Sequence, residues 1–403
     1  MIKKVSVGRL RPGMFIHDLD CGWMEHPFAR NHFAVDSETV VTQLARSGLR
    51  EVYIDTEKGL DDIEAPTAAD IQEQVSKEIS AAAKQKTEPA RVSTHEELTR
   101  ARQVHAEANL LIRNIMRDVR LGKQVHIEQM EPVVEKITTS VLRNSSALLS
   151  LTRIKDKDDY TFQHSVGVAT LMVAFCRGLD MDDETIHQAG IGGLLHDIGK
   201  TLTPDHILNK PGKLTPEELD VMRRHVTDGE NILNQTPNIS EIAMQVTAQH
   251  HERFDGSGYP LGVNGAQISK IGQMAAIVDV YDAITSDRCY RKGMAPTDTL
   301  RKMFEWSKFH FNADLVHAFT RVIGIYPVGT LVLLESGRLA VVAEQRENNM
   351  LQPLVRAVFH ARHNHYIEPV DIDLSRPFGH GGADSIVSNE SPAKWKIDPM
   401  KFL

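Results

Sequence analysis

Apolar residues recur at helical spacing through the middle of the chain. Between residues 160 and 325 they return every three or four positions, as Leu219, Met222 and Val226 do, with only short breaks between runs. Residues 215–218, Thr-Pro-Glu-Glu, have the sequence of a capping box with proline at the first helical position. The fold is therefore predicted to be mainly α, with a helical bundle as its largest part.

Alternating patterns replace the helical period toward both ends of the chain. Residues 5–7 and 51–54 are typical of strands, and residues 329–342 predict a β-hairpin that turns at Ser336-Gly337. The predicted organisation is a small α/β domain of unknown role at 1–60, a linker or solvated helix at 61–94, the helical domain at 95–325, a small β appendage at 326–376, and a flexible tail at 377–403.

Composition narrows the class of protein without indicating its chemistry. With 41% hydrophobic and 25% charged residues, the 403-residue chain is typical of a globular cytoplasmic protein. Its three cysteines have no paired or metal-like spacing, which favours a reducing compartment. No apolar run reaches the roughly 20 residues of a membrane span. The net charge of −8 argues against binding to a nucleic-acid polymer, but leaves room for a local basic pocket.

Histidines and aspartates interrupt the apolar helical segments, and they are the candidates for chemistry. Asp279 and Asp282 lie three residues apart in an apolar run, so one helical face carries both. The others lie within or directly after such runs. The complete set is His164, His196, Asp197, His225, His250, His251, Asp279 and Asp282.

If these aspartates are buried, their negative charge must be compensated by a positive charge. An unpaired buried carboxylate costs several kcal/mol, which a divalent cation with imidazole and carboxylate ligands offsets. Five histidines and two aspartates suffice for two ions that share one carboxylate and a water that ionises near neutral pH. Each residue alone also has a simpler interpretation: His196-Asp197 as a chance dipeptide, His250-His251 as a solvated helix end, His225 as a core or surface histidine, and Asp279 as a cap or an arginine partner. Their convergence favours the metal site.

Cations and a glycine-rich loop accompany these residues. Lys200 follows His196-Asp197 within one turn, and Arg288 and Arg291 follow the Asp279 helix. Guanidinium groups match phosphate oxygens, although these two arginines could instead neutralise nearby acidic residues.

The loop at residues 252–260, Glu-Arg-Phe-Asp-Gly-Ser-Gly-Tyr-Pro, is attached directly to the histidine pair at 250–251. Its glycines, Gly258 among them, allow close approach of the backbone to a ligand. Tyr259 either stacks on a nucleobase or packs the loop against the protein.

Taken together, three motifs resemble the HD-GYP family, a branch of the HD-domain phosphohydrolases. They are His196-Asp197-Ile198-Gly199-Lys200, His250-His251-Glu252, and Asp255-Gly256-Ser257-Gly258-Tyr259-Pro260. The resemblance covers about residues 95–325. Residues 1–60 resemble a small uncharacterised domain that often precedes HD-GYP domains.

The resemblance implies hydrolysis of cyclic di-GMP to pGpG and, in many members, onward to GMP. It also implies divalent metals, most commonly Fe or Mn, with Ni, Co, Zn and Mg as alternatives. One ion would be held by His164, His196, Asp197 and Asp279, and the other by His225, His250 and His251, with Asp197 bridging. Members with three metals carry a glutamate four residues before the first histidine; Tyr160 stands there, so two metals are expected.

The types and positions of the neighbouring residues also predict roles around the metals. Lys200 would stabilise charge on the phosphate or the leaving oxygen, Asp282 would accept a hydrogen bond or a proton, and Arg288, Arg291, Gly258 and Tyr259 would contact the substrate. Two other functions stay open: an HD phosphohydrolase acting on other nucleotides, and a module that binds cyclic di-GMP or a GGDEF diguanylate cyclase with little turnover. A homodimer is compatible with the sequence.

Overall fold

Two small antiparallel sheets flank a helical body in the computed structural model of the chain. No helix in the described part of the chain combines the length and the hydropathy that a membrane crossing requires. The structure describes residues 1–21, 28, 30–83, 90–152, 160–286, 293–346, 349–376 and 384–403.

The N-terminal sheet has the strand order β1-β4-β2-β3 and buries one face against helix α1. Val5 in the edge strand β1 pairs with Val52 in β4, and Ile16, Leu44 and Ile54 are fully buried beside them. The predicted small α/β unit is confirmed. Its elements are β1 (Ile2–Ser6), β2 (Phe15–Asp18), β3 (Phe33–Ala34), α1 (Glu38–Arg46) and β4 (Glu51–Asp55).

The segment predicted as a linker or solvated helix, 61–94, contains a helix that packs on the core, which corrects that prediction. In α2 (Ala68–Ala83), Ile71, Val75 and Ile79 are buried, and the helix contacts two helices of the bundle, α12 and α13, bounded below. These side chains are spaced four residues apart, so one per turn is enough to form an apolar stripe. The segment as a whole is rich in Ala, Glu, Lys and Gln, so its average composition did not reveal this stripe.

The helical bundle is arranged around α5. Every residue at positions 164–176 is buried, as expected of a helix that is apolar on all sides and surrounded by other helices. The predicted capping box is present, since Thr215 and Glu218 each accept the other's backbone N–H. The helices are α3 (Thr94–Arg120), α4 (Glu131–Thr152), α5 (Tyr160–Gly178), α6 (Asp183–Leu195), α7 (Asp205–Leu208), α8 (Pro216–Arg223), α9 (His225–Asn234), α10 (Glu241–Gln249), α11 (Lys270–Thr285), α12 (Pro296–Trp306) and α13 (Ala313–Ile323).

The C-terminal sheet has the strand order β8-β7-β6-β5-β9. The predicted hairpin forms the β5–β6 pair, with Gly337 in its turn at a positive φ of 79°. The strands and the following short helix are β5 (Leu331–Leu334), β6 (Arg338–Glu344), β7 (Leu354–His360), β8 (His365–Asp373), β9 (Ile386–Asn389) and α14 (Pro392–Trp395).

The predicted flexible tail at 377–403 is corrected where the structure describes it. Strand β9 pairs with β5, and Ile397 is only 3% exposed. The edge of β5 has unpaired backbone groups that another strand can satisfy, and β9 supplies them from about fifty residues along the chain. Residues 377–383 lie outside the described part of the chain.

Candidate metal centre

Seven predicted metal ligands come from five places in the bundle and meet at its centre. His164 lies near the start of α5 and Asp279 lies within α11, whereas the others occupy helix ends. All are buried except His251, whose side chain is 20% exposed. Their ligand atoms form three groups, each within 4.8 Å: His225, His250 and His251; His164, His196 and Asp279; His196, Asp197 and His250.

The carboxylate of Asp197 lies between two sets of histidines. Its Oδ2 is 3.3 Å from Nε2 of His196 and 3.7 Å from Nε2 of His164. Its Oδ1 is 3.4 Å from Nε2 of His225 and 3.9 Å from Nε2 of His250. One oxygen therefore faces each set, which is the arrangement required of a carboxylate that bridges two cations.

Local helix geometry orients three of the imidazoles. In each, Nδ1 donates to the carbonyl oxygen three residues earlier, near the end of the preceding helix. Those carbonyls lie in the last turn of a helix, where acceptors outnumber the helix's own donors, so each can accept from an imidazole, which directs Nε2 toward the centre. The pairs are His196 with Gly193 at 2.9 Å, His225 with Met222 at 2.7 Å, and His250 with Thr247 at 2.8 Å.

A carboxylate orients His164 in the same sense. Its Nδ1 donates to Oδ2 of Asp282 at 2.6 Å, while its Nε2 lies 2.9 Å from Oδ1 of Asp279. Gly167, one turn along α5, makes room for this contact, because a Cβ there would overlap Oδ1 of Asp282. The predicted one-face arrangement of Asp279 and Asp282 therefore brings one to the centre and the other behind His164.

Burial keeps most of the imidazoles neutral. Burial and the nearby Lys200 lower the pKa of His225 to about 4, and burial and His196 lower the pKa of His250 to about 3. Burial and the neighbouring His250 also hold the pKa of His251 well below its usual range. These side chains are thus in the form that coordinates metals.

The carboxylates stay ionised in spite of their burial. Burial alone would raise the pKa of Asp197, but Lys200 and His196 hold it well below its usual range. Burial likewise opposes ionisation of Asp279, whose pKa is held low by the hydrogen bond and charge of His164. His196 is the exception among the imidazoles, because Asp197 and Asp279 raise its pKa against the effect of burial.

The donor set fits divalent metal ions. Within the described part of the chain, Nε2 of His196 and Oδ1 of Asp197 are buried and have no hydrogen-bond partner. Unsatisfied buried polar atoms are costly, and both belong to the group that surrounds the centre. Imidazole nitrogens and carboxylate oxygens suit Zn, Fe, Mn, Co or Ni, so the donors alone do not distinguish these metals.

The predicted cations are only partly within the described residues. Nζ of Lys200 lies 2.5 Å from Oδ2 of Asp197, with its side chain 20% exposed, so it reaches both the centre and solvent. Arg288 and Arg291 lie outside the described residues, and their predicted phosphate contacts stay predictions.

The loop that carries Tyr259 packs against the metal centre. Its ring stacks on the imidazole of His251, with centroids 4.6 Å apart, and the guanidinium of Arg223 lies 5.1 Å from its centroid. A Cβ on Gly258 would meet the backbone of residues 251–253. These contacts match the loop-packing alternative; the substrate roles of Tyr259 and Gly258 stay predictions.

Two residues near the centre were missed by sequence reasoning. The carboxylate of Glu252, 2% exposed, accepts the backbone N–H groups of residues 261, 262 and 263 and so fastens the end of the loop. Arg223 approaches Tyr259 from the end of α8. Their positions in the sequence could have drawn attention to them, because Glu252 directly follows the histidine pair and Arg223 lies two residues before His225. A position in the sequence does not, however, reveal which groups a side chain contacts.

Two known domain families match different parts of the chain. The HD domain family matches residues 144–315, and this family is metal-dependent. A domain of unknown function (DUF3391) matches residues 2–130, which extends past residue 60, the predicted end of the N-terminal domain.

Known relatives resemble the chain over very different lengths. A cyclic di-GMP phosphodiesterase of Pseudomonas aeruginosa is 42% identical over 398 residues, covering 98% of this chain and 94% of the relative. A 3′3′-cGAMP-specific phosphodiesterase of Vibrio cholerae is 39% identical over 159 residues, or 40% of this chain and 37% of that protein. Among solved structures, an HDG"Y"P protein of Bdellovibrio bacteriovorus aligns with 80% of this chain and 99% of its own, at 16% identity and a TM-score of 0.47. The near full-length relative confirms the resemblance seen in the motifs, and the chain belongs to the HD-GYP family of HD-domain phosphohydrolases.

Proposed function

We propose that the chain is a metal-dependent phosphodiesterase that hydrolyses cyclic di-GMP. The observation that carries the proposal is the Asp197 carboxylate, with one oxygen toward each of two buried histidine sets. The full-length relative named for this activity supports the choice of substrate. The first product would be pGpG, with GMP as a second product if the linear dinucleotide is cleaved again.

Two ions are expected at the centre. His164, His196, Asp197 and Asp279 would hold one, and His225, His250 and His251 the other, with Asp197 shared. Tyr160 supports a count of two, because its ring stacks on His164, at a centroid distance of 5.8 Å, where a third metal would need a carboxylate. Fe or Mn is the expected pair.

The chain's own residues have distinct roles around these ions. Bound metals would supply Lewis acidity toward the phosphate and an acidified water as nucleophile. Lys200 would stabilise negative charge on the phosphate or the departing 3′ oxygen. Asp282 would keep Nε2 of His164 directed inward, and Arg223 is a candidate contact for the phosphate or the base beside Tyr259.

A different nucleotide and a scaffold role are the alternatives. The Vibrio cholerae relatives named for 3′3′-cGAMP make that dinucleotide the most informative competitor substrate. The scaffold alternative is a protein that binds a GGDEF diguanylate cyclase or acts as a homodimer. Neither role explains why the seven candidate ligands are brought together inside the bundle. The presence of all seven candidate ligands counts against a purely binding role.

The test is anaerobic turnover of cyclic di-GMP by full-length protein loaded with Mn or Fe, with metal counted per chain. We expect about two metals per chain and linear product. Asp197→Ala should lose bound metal, and its turnover should fall to less than about one hundredth of that of the unmodified chain. Replacing even a residue that only hydrogen-bonds to a metal ligand typically lowers metal affinity or activity about 10- to 100-fold.

The matched control is Asp183→Asn, an exposed carboxylate in the first turn of α6, the helix that leads to His196. It should keep metal and turnover. Turnover of 3′3′-cGAMP in strong preference to cyclic di-GMP would replace the substrate while keeping the site. Full metal occupancy with no turnover of either dinucleotide would contradict the proposed enzyme.

A further inference from the structure

The N-terminal α/β unit contacts the loop that carries Tyr259. Arg50 lies in the turn between α1 and β4, and its Nε donates to Oδ2 of Asp255 at 2.9 Å. In the same turn, Gly48 has a φ of +79°, and a Cβ there would lie 3.6 Å from Cβ of Ser257. Arg50 and Asp255 are 205 residues apart in the sequence. The contact therefore joins a unit of unassigned role to the wall of the metal centre.

A second contact of the same unit reaches the other side of Tyr259. Nζ of Lys213 donates to the carbonyl oxygen of Phe28 at 2.7 Å. Lys213 lies three residues before α8, the helix that ends at Arg223, and the guanidinium of Arg223 lies over the ring of Tyr259. The N-terminal unit therefore touches both of the segments that lead to this ring.

The unit is attached to the bundle independently of Arg50. Nε1 of Trp306 donates to the carbonyl oxygen of Asp20 at 2.9 Å, and the hydroxyl of Tyr53 donates to Oε2 of Glu305 at 2.6 Å. Glu305 and Trp306 form the end of α12. Arg50 directly precedes β4, the strand that carries Tyr53, so its side chain extends from a strand that is already fixed in place. Less conformational freedom is then lost when Arg50 pairs with the loop.

The two carboxylate oxygens of Asp255 have separate partners. Oδ1 accepts the backbone N–H of Ser257 at 3.0 Å and its hydroxyl at 2.6 Å, which is the hydrogen bonding of an Asx turn. Oδ2 accepts from Arg50. Burial would raise the pKa of Asp255, but the hydrogen bonds from Ser257 and Arg50 hold it below its usual range. The carboxylate is therefore ionised at neutral pH and pairs with the guanidinium.

One part of the loop is attached to the metal centre and another part is at the surface. The N–H of Tyr259 donates to the carbonyl oxygen of His251 at 3.1 Å, and its ring stacks on the His251 imidazole. Phe254 is 40% exposed and Leu261 is 76% exposed. Surface loops are mobile unless their backbone is anchored. Arg50 supplies such an anchor from a part of the chain outside the bundle.

We propose that Arg50 is a positioning residue, through which the N-terminal α/β unit holds the loop that carries Tyr259 against the metal centre. Arg50 acts through Asp255 and is not one of the proposed metal ligands. The nucleotide is proposed to bind beside Tyr259 and Arg223, so a loosened loop should weaken substrate binding more than it slows the chemical step. This consequence rests on the proposed hydrolysis, whereas the effect on the loop itself does not.

Two measurements on the full-length chain test the proposal. Hydrogen exchange of the amides in the segment 256–263 is measured without metal, and KM and kcat for cyclic di-GMP are measured with Mn bound. A half-exposed ion pair shifts an equilibrium by at most about fivefold. In Arg50→Gln we therefore expect loop exchange to be about three- to fivefold faster and KM to be about three- to fivefold higher. The metal count and kcat should be unchanged.

Asp255→Asn is the matched variant on the other side of the contact. It keeps Oδ1 as the acceptor for Ser257 but replaces the oxygen that accepts from Arg50 with an amide group that donates. Its effect should equal that of Arg50→Gln, and the double variant should be no worse than either single variant, because both residues act through one contact. Arg50→Lys keeps the charge and a single donor, so it should stay close to the unmodified chain.

The control is Arg9→Gln, which removes an arginine of similar exposure, 48% against 52% for Arg50. Its partners are Asp62 and Glu64, outside the loop, so loop exchange and KM should match those of the unmodified chain. Loop exchange in Arg50→Gln equal to that of the control, or a KM equal to that of the unmodified chain, would overturn the proposal. If the unmodified chain cleaved neither dinucleotide, the proposed hydrolysis would fail, and loop exchange would still decide whether Arg50 holds the loop.

Discussion

Two clusters of buried charge in this molecule differ in whether all of their buried polar atoms have partners. Where the N-terminal sheet meets α12, Nζ of Lys4 lies 2.9 Å from Asp20 and 3.0 Å from Glu305, and all three side chains are largely buried. Lys302 also pairs with Asp20 at 2.9 Å, and the hydroxyl of Tyr53 donates to Glu305 at 2.6 Å. Every charge in this cluster has an opposite charge in contact.

The metal centre differs in its unpartnered atoms. Lys200 and His196, whose pKa is raised, lie beside the ionised Asp197 and Asp279, yet Nε2 of His196 and Oδ1 of Asp197 have no hydrogen-bond partner in the described residues. The comparison shows that buried charge alone does not indicate a functional site. What indicates a site is a group of buried ligand atoms that the protein leaves without partners, which a cation then completes.

Metal removal should separate the two clusters most strongly. Chelation is expected to abolish turnover, and restoring metal to 100 times its Kd should raise the free energy of unfolding by about 2.7 kcal/mol for each ion bound, or about 5.4 kcal/mol for the expected two. Denaturant unfolding with and without Mn measures this increment. Lys4→Met should show the same increment from a lower baseline, whereas an increment that survives in Asp197→Ala would contradict the assignment of the centre.

Breaking the cluster around Lys4 should cost stability and leave chemistry intact. Lys4→Met leaves Glu305 and Asp20 with less compensation, and we expect the metal-free chain to lose about 3 kcal/mol of unfolding free energy. Urea unfolding measures the loss, and turnover per folded, metal-loaded chain should be unchanged. Lys58→Met, which removes an exposed partner of Asp55, is the control with a much smaller effect. A loss of turnover in the folded Lys4 variant would mean that the clusters are coupled.

A smaller effect is expected from the residue behind His164. Asp282→Asn keeps the size of the side chain but weakens the acceptor at Nδ1, so metal affinity should fall about 10- to 100-fold. A competition titration with a metal indicator measures it. Asp183→Asn serves again as the surface control. Unchanged affinity would show that packing alone orients His164.

The sequence predicted which side chains come together at the candidate centre better than it predicted the contacts around them. His196, Asp197 and Asp279 stood out because polar side chains inside apolar helices are visible in one dimension. Glu252 did not, because its partners are backbone groups nine to eleven residues away whose approach depends on how the loop closes. Side-chain type alone gave no indication of that contact.

The fold shows the same division between local and distant information. Hairpin β5–β6 was predictable because its turn and both strands are contiguous. Strand β9 was not, because its partner β5 lies about fifty residues earlier and only the open edge of the sheet selects it. The burial of α2 likewise depends on α12 and α13, which follow it by more than two hundred residues.

The last difference between the two clusters is in pH dependence, where they should act at opposite ends of the scale. Unfolded histidine titrates near 6.5, whereas the pKa values of His225 and His250 are lowered to about 4 and about 3. Between these values the unfolded chain binds protons that the folded chain does not, so stability falls as pH drops below about 6.5. The raised pKa of His196 opposes part of this loss.

Lys4 has the reverse sign. Burial would lower its pKa, but Asp20 and Glu305 raise it above the usual value, so its stabilisation is complete below about pH 10.4 and is lost as pH rises through the folded value. Thermal unfolding of the metal-free chain from mildly acidic to strongly alkaline pH measures both limbs. His250→Gln should flatten only the acid limb and Lys4→Met only the alkaline one. If either variant altered the opposite limb, the cluster around Lys4 and the metal centre would not titrate independently. The contrast between these two sites would then need another explanation.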